Sequence, residues 1–481
     1  MWNRPPEVAE PAPKGGFALG VALLLFGVIV LSNLFVLRPR LTDRADVWAT
    51  RVVQADYAVR MLYGGILPME AARSGEWERT LKLLTGRDAP LDALARAVIL
   101  LHDRESALGQ EAARERIRQL LRRMPDAPTR LSPDQKKAIV RWCETVYGQR
   151  RPSASPEEKA QLQRAIEQAD LGWMCLLAMK HLEFLYGDPE AARQWDVRAR
   201  QEANRLQRSL LMVFAGVVLL LLAGIAVWLA YAVWKSTSRL PRLSSPVLAR
   251  HHADAVLWGL VAYFAAMLLV GWIAGVFMRA LSPSTPLLVV LVLANQVLTG
   301  GFALWLLSRL MRRRGLRWQD IGLTWEPPLA HLGWGLGAYV AMIPVLLVTV
   351  ALLQALLPAI PSPAHPIARV ASAENPLWVT ILLFLMVAVF ASVFEEIFFR
   401  AVLLNALWAQ TGSKWVGILG SALVFSVLHP QLYLGWIAIF VIGVMLGGLF
   451  VERRSVVPCI WMHALHNALL LVAAQSLKIF G

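Results

Sequence analysis

Nine apolar stretches interrupt this chain, most of them about as long as the roughly 20 residues that a helix needs to cross a bilayer. They run from about Phe17 to Leu37, from about Leu210 to Trp234, and near 255–278, 286–307, 332–357, 377–396, 415–428, 432–450 and 456–475. Backbone groups in hydrocarbon must be satisfied within the segment, so such stretches are helices. The chain is therefore expected to be an all-α, polytopic membrane protein. The 415–428 stretch is short for a full crossing and reads as tilted or as entered from a bend inside the membrane. Across all 481 residues 57% are hydrophobic and 17% charged. That balance excludes a disordered chain, a collagen-like fibre and an ordinary soluble enzyme.

One segment departs from this pattern. Residues 38–209 hold 30 Lys and Arg against 24 Asp and Glu, a dense and nearly balanced charge typical of a soluble domain. Apolar residues recur at helical spacing in "LDALARAVILLHDRESALGQEAARERIRQLLRRM". Pro-rich breaks at 125–128, 132–134 and 152–158 mark helix boundaries, and "SASPEE" has the acidic first turn of a helix start. The segment reads as an inserted soluble helical domain, with nothing catalytic in it and a partner that the residues do not name. Cys143 and Cys175 fall here. Two cysteines make no disulfide framework, and they read as unpaired thiols, with a pair as the alternative if the segment lies outside the cell.

These boundaries give four parts: 1–37, a tail and uncleaved signal-anchor helix; 38–209, the helical domain; 210–254, a second membrane helix and basic linker; and 255–475, a membrane core. Basic residues at Lys235, Arg239, Arg242 and Arg250, at Arg309 to Arg317, and at Arg453 and Arg454 mark cytoplasmic loops by the positive-inside rule. Counting spans from them puts the N-terminus in the cytoplasm and 38–209 outside it, in a multi-pass protein of the plasma membrane. Outside 38–209 the chain holds 18 basic against 9 acidic residues, an excess of the kind basic loops beside membrane spans carry, and no nucleic-acid partner is expected. A Pro-rich linker at 357–376 holds His365, which reads as incidental.

Between Asn375 and Val451 the formally charged residues are Glu395, Glu396, Arg400 and Lys414. Lys414 lies in a turn. The other three lie in apolar helix, where charge is costly and marks function by default. Glu396 and Arg400 are four apart and can pair on one face. Glu395 points about 100° away with no partner in its own helix, as a general base would. His429 closes the next span, and His463 and Asn467 share a face of the last one. The sequence has no H-E-x-x-H zinc helix, no G-x-S-x-G elbow and no phosphate loop.

"EEIFFR" (395–400), "FSVLH" (425–429) and "HALHN" (463–467) resemble the motifs E-E-x-x-x-R, F-x-x-x-H and H-x-x-x-N. In this order and at these intervals they resemble the CPBP (Abi-type) intramembrane proteases, which include the type II CAAX prenyl endopeptidases and bacteriocin-processing or immunity proteins. The resemblance covers about 255–475 and leaves 1–250 outside it. It implies a helical-bundle protease core that hydrolyses a peptide bond of a membrane-anchored or lipidated substrate, prenylated in the CAAX branch. It implies that Glu395 and His429 activate water, that His463 and Asn467 stabilise the oxyanion or complete the polar site, and that Glu396 and Arg400 orient them. No cofactor is certain. Glu395, His429 and His463 are the set that would hold Zn²⁺ with one open position; a glutamate beside a histidine also activates water alone. The second route is favoured, because Asn467 is a poor zinc ligand and a natural oxyanion donor. Two alternatives stay open: a non-proteolytic scaffold or immunity protein of the same fold, and, more remotely, a proton-coupled transporter.

Overall fold

The structure, a computed structural model, describes residues 17–37, 44–64, 73–103, 110–129, 131–148, 155–169, 171–238, 245–281, 284–325, 327–357, 375–429 and 434–479. His365 and the arginines at 38 and 40 lie outside them. The described residues are 88% helical and include no strand, so the all-α polytopic expectation holds. The helices are α1 (Phe17–Leu37), α2 (Arg44–Tyr63), α3 (Arg73–Leu84), α4 (Leu91–Asp103), α5 (Gln110–Arg123), α6 (Pro133–Tyr147), α7 (Pro156–Gln168), α8 (Met174–Leu185), α9 (Pro189–Thr237), α10 (Ala253–Leu281), α11 (Thr285–Arg313), α12 (Pro328–Leu356), α13 (Leu377–Thr411), α14 (Lys414–Leu428), α15 (Leu434–Arg453) and α16 (Val457–Ile479). Two compact units emerge: Leu41–Gly216, and Met1–Arg40 with Val217–Ile479.

The first unit is built from short helices whose starts are written in the sequence. Ser132 caps α6 through a reciprocal capping box with Gln135, and Pro133 takes the first turn, where no amide partner is needed. Ser155 accepts from the Glu157 amide at the head of α7. Leu91, Leu94, Val98, Ile99, Trp142 and Leu177 are buried in one apolar core.

That core also encloses a polar network that periodicity does not reveal. Lys180 Nζ lies 2.5 Å from Asp103 Oδ1 and 3.2 Å from both the Tyr63 hydroxyl and Asp196. His181 Nε2 donates to Asp103 at 3.4 Å, and the Tyr147 hydroxyl donates to His181 Nδ1 at 3.1 Å. Burial alone would raise the Asp103 carboxyl, but the His181 hydrogen bond and the Lys180 charge outweigh it and hold it well below its ordinary value. Burial pushes His181 down, toward its neutral form. Burial also works to lower Lys180, and the Asp103 charge overrides it and raises the ammonium. Cys143 and Cys175 are free thiols, Cys143 fully buried.

The second unit holds the apolar helices. Among the described residues six helices are long and apolar enough to cross a membrane, α9 to α13 and α15; the apolar stretches Phe17–Leu31 of α1, Lys414–Leu428 of α14 and Val457–Ala473 of α16 are shorter. Helix α1 runs beside α10, with Phe17 against Trp258 (5.9 Å between ring centroids) and Phe26 against Phe264 (6.5 Å). The C-terminal ends of α9 and α15 meet the start of α12: Lys235 pairs with Glu452 at 2.6 Å, Trp234 lies 5.8 Å from Trp334, and Arg453 sits 4.5 Å above the Trp334 ring. Helix α14 spans 15 residues, about 22 Å at the α-helical rise. It packs closely on α15, where a Cβ at Gly443 would come within 2.9 Å of Ala422, the small-residue contact usual between membrane helices.

The 35-residue α13 is not a uniform α-helix. Leu385–Phe390 and Ile397–Leu404 are π-helical, on either side of the α-helical Ala391–Glu396. A π turn uses five residues per hydrogen-bond step instead of four, and such turns concentrate at functional sites. The angular arithmetic of a plain α-helix therefore does not carry across α13.

Candidate active site

The polar residues expected from the sequence meet in the second unit. Glu396 and Arg400, both 0% exposed, form an ion pair at 3.1 Å. The same Glu396 oxygen lies 2.8 Å from His463 Nδ1. The Arg400 guanidinium stacks 4.4 Å from the Phe425 ring, and its Nη2 reaches the Gly443 carbonyl at 3.5 Å. Glu396 thus has two partners, where sequence spacing offers one.

Glu395 projects into a different space. Its Oε2 lies 3.8 Å from His429 Nε2 and 3.9 Å from His463 Nε2. That oxygen is buried without a hydrogen-bond partner. A buried orphan acceptor is rare enough to need a functional reason.

The outer nitrogens fix what the inner ones present. His429 Nδ1 is 2.8 Å from the Phe425 carbonyl, which accepts, so Nδ1 carries the hydrogen. His463 Nδ1 faces a carboxylate and carries the hydrogen by the same logic. Both Nε2 atoms then turn lone pairs toward Glu395. Phe425 packs against both rings, 4.6 Å from His429 and 5.8 Å from His463 between centroids. Trp436 holds the His429 carbonyl at 2.9 Å.

Asn467 donates through Nδ2 to the Val387 carbonyl at 2.9 Å. Val387 lies in the first π turn, so this bond ties α16 to the irregular part of α13. His466 faces the other way, its ring 6.1 Å from Tyr339.

The structure adds polar groups that sequence reasoning passed over. Asn295 Oδ1, Gln296 Oε1 and Thr299 Oγ1 on α11, and Ser392 Oγ on α13, are buried without hydrogen-bond partners. Helix α11 runs against the first half of α13: Val289 packs with Val379, Leu383 and Met386, and a Cβ at Gly300 would lie 2.4 Å from the Phe394 ring. The signal was the cluster "ANQVLTG" inside a membrane span, where polar side chains need a reason.

Glu395, His429 and His463 carry donors of the right chemistry for zinc. As placed they stand too far apart: adjacent ligands of a tetrahedral zinc at 2.0–2.1 Å are roughly 3.3 Å from each other, against 3.8 and 3.9 Å here. Among the described residues no group of three or more His, Cys, Asp or Glu side chains is arranged to hold a metal ion.

Comparison with known families addresses this same stretch. Residues 376–469 match the family described as type II CAAX prenyl endopeptidase Rce1-like. The Rce1-like match is consistent with the CPBP family that the three motifs resemble. It takes in α13, α14, α15 and α16 up to residue 469, and with them Glu395, Glu396, Arg400, His429, His463 and Asn467. Helices α1 to α12 lie outside it. No curated protein and no solved structure matches the chain.

Proposed function

We propose that the Rce1-like segment is the working core of an intramembrane endopeptidase in which Glu395 is the general base. The observation that carries this reading is the orphan Glu395 Oε2 facing two histidine lone pairs. Its gaps of 3.8 and 3.9 Å exceed a direct hydrogen bond. They match two hydrogen bonds of about 2.8 Å meeting near a right angle, the span a bridging water takes.

In this mechanism the water gives its proton to Glu395 as its oxygen attacks the scissile carbonyl. The water's other hydrogen is donated to the Nε2 lone pair of His429 or of His463, which orients it. The carbonyl becomes a tetrahedral oxyanion, and the second N–H of Asn467 is the donor aimed at it, the first being held by Val387. Protonated Glu395 then passes its proton to the leaving amine. Glu396 and Arg400 hold the His463 tautomer, as a carboxylate behind a histidine does elsewhere. None of these steps calls for a bound metal.

The Rce1-like match supports a membrane-associated protein substrate, and a prenylated one in the CAAX branch. The topology we infer puts the N-terminus and the basic helix ends in the cytoplasm and residues 38–209 outside it, in the plasma membrane. Supporting it, Lys235, Glu452 and Arg453 cluster at one face with the start of α12, and α1 begins beside the start of α10. The parts 1–37, 38–209, 210–254 and 255–475 then divide the labour between anchor, external helical domain, linker helix and protease core. The external domain would recruit the substrate or a regulator.

The test is cleavage of prenylated and unprenylated peptides by the full chain in liposomes, beside Glu395→Gln. Glu395→Gln keeps shape and loses basicity, so cleavage should fall at least 10³-fold while substrate binding persists. Full activity in Glu395→Gln would overturn the assignment of the base. Activity abolished by removing a tightly held zinc ion, and restored by its return, would overturn the metal-independent route.

A further inference from the structure

A second concave feature lies away from Glu395. Helices α9, α12, α14 and α15 enclose a lateral groove of about 660 Å³, within the size range of small-molecule sites. Its walls include Trp228, Tyr231, Ile418 and Met445, and it is almost wholly apolar. Its floor is kept open by glycine. A Cβ added at Gly333, Gly337 or Gly448 would meet nothing within 4 Å, so these glycines do not serve close helix packing.

One end of the groove is cationic. Lys414 lines it and is exposed; among the described residues no carboxylate pairs with it, and its near neighbour is the Trp415 ring at 5.9 Å. Arg453 lies over Trp334, a wall residue, and its Nε is buried without a hydrogen-bond partner. Lys235 is neutralised by Glu452 at 2.6 Å. Among the described residues three cations, Lys235, Lys414 and Arg453, thus stand with one carboxylate, and Lys414 and Arg453 have no ion-pair partner.

We propose that this groove binds one anionic phospholipid of the surrounding bilayer, its acyl chain over the glycine floor and its phosphate between Lys414 and Arg453. Apolar walls on membrane-spanning helices admit a chain from the bilayer. Unpaired Lys and Arg at the helix ends select a phosphate, as basic pockets between membrane helices do for acidic lipids. A zwitterionic lipid brings its own cation and gains less. Helices α9 and α12 lie outside the Rce1-like match, while Lys414 and Arg453 lie inside it; the groove is lined by none of the residues around Glu395, so the proposal does not depend on the proteolytic reading.

Native mass spectrometry of the full-length protein, delipidated in detergent and titrated with phosphatidylglycerol or phosphatidylcholine of matched chains, tests it. Wild type should retain one phosphatidylglycerol with at least tenfold preference. Lys414→Gln/Arg453→Gln should remove that preference and leave phosphatidylcholine retention unchanged. Gly337→Leu should reduce both lipids at an unchanged melting temperature. Because neither set touches the site around Glu395, each variant should keep the wild-type melting temperature in detergent, which reports that it is folded. Equal retention of the two lipids by wild type, or a preference that survives in the double variant, overturns the proposal. So does stoichiometric displacement of phosphatidylglycerol by a prenylated peptide, which would make the groove a seat for the substrate's anchor.

Discussion

Replacing Arg400 by Met would break the ion pair at the centre of the second unit. Arg400 and Glu396 are both fully buried and 3.1 Å apart. Met keeps most of the side-chain length and removes the charge. Glu396 is then a buried carboxylate left with His463 as its partner. Leaving one member of a buried pair uncompensated costs about 3–5 kcal/mol. The lost stacking on Phe425 adds up to about 2 kcal/mol. Adding Glu396→Gln to Arg400→Met removes the stranded charge, and Gln Oε1 still accepts from His463 Nδ1. The remaining loss is the difference between a charged and a neutral hydrogen bond, about 1 kcal/mol, together with the stacking. The double variant should therefore be about 2–4 kcal/mol more stable than Arg400→Met alone. Reversible unfolding of the full chain in bicelles, measured for wild type, Arg400→Met, Glu396→Gln and the double variant, closes a cycle that isolates the coupling. If Arg400→Met costs under about 1 kcal/mol, or if the second change makes matters worse, the pair is not the electrostatic unit described here.

Further outcomes follow from other contacts. Asn467→Ala should lower kcat about 10²-fold at a nearly constant KM, as loss of an oxyanion donor does; a change confined to KM would leave Asn467 only its tie to Val387. Gly300→Ala puts a Cβ 2.4 Å from the Phe394 ring, which should cost about 1–3 kcal/mol as overpacking and slow cleavage through the adjacent Glu395; an unchanged melting temperature refutes it. The helical unit should lose stability as pH falls. His181 has its pKa lowered by burial from 6.5, so the unfolded chain binds its proton first and stability declines below about pH 6.5. Asp103, held below 3.8, adds to the loss at still lower pH, while Lys180, raised above 10.5, keeps its contribution until the alkaline side. Hydrogen exchange of α4 and α8 in the full chain, corrected for intrinsic rates, should show a plateau from about pH 6.5 to 10.5; rising protection between pH 7 and 5 would contradict the network.

The site was legible where charge met hydrocarbon. Glu395, Glu396, Arg400, His429 and His463 stand out because apolar helices give each no cheap reason to exist, and the structure brings all five together. The helix starts at Ser132 and Ser155 were legible because capping is local. Long-range pairing was not. Sequence spacing joins Glu396 to Arg400 but says nothing of His463, 67 residues on. Lys180, Asp103 and Tyr63 are scattered through a segment already rich in charge, so nothing set them apart. Asn295 and Thr299 were visible as polar residues in a span, yet lacked a charge to mark them.

The two π turns of α13 bear on how such a site can arise. Each holds one residue more than an α-helical turn of the same span. Deleting a single residue from Leu385–Phe390 would leave a continuous apolar helix and swing both glutamates about 100° relative to the stretch packed on α11. The direction of the carboxylates is therefore set by how many residues precede them as much as by which residues they are. A one-codon insertion suffices to carry an acidic pair from one helix face to the next. Substitution alone, acting within a fixed α-helical register, has no comparable move.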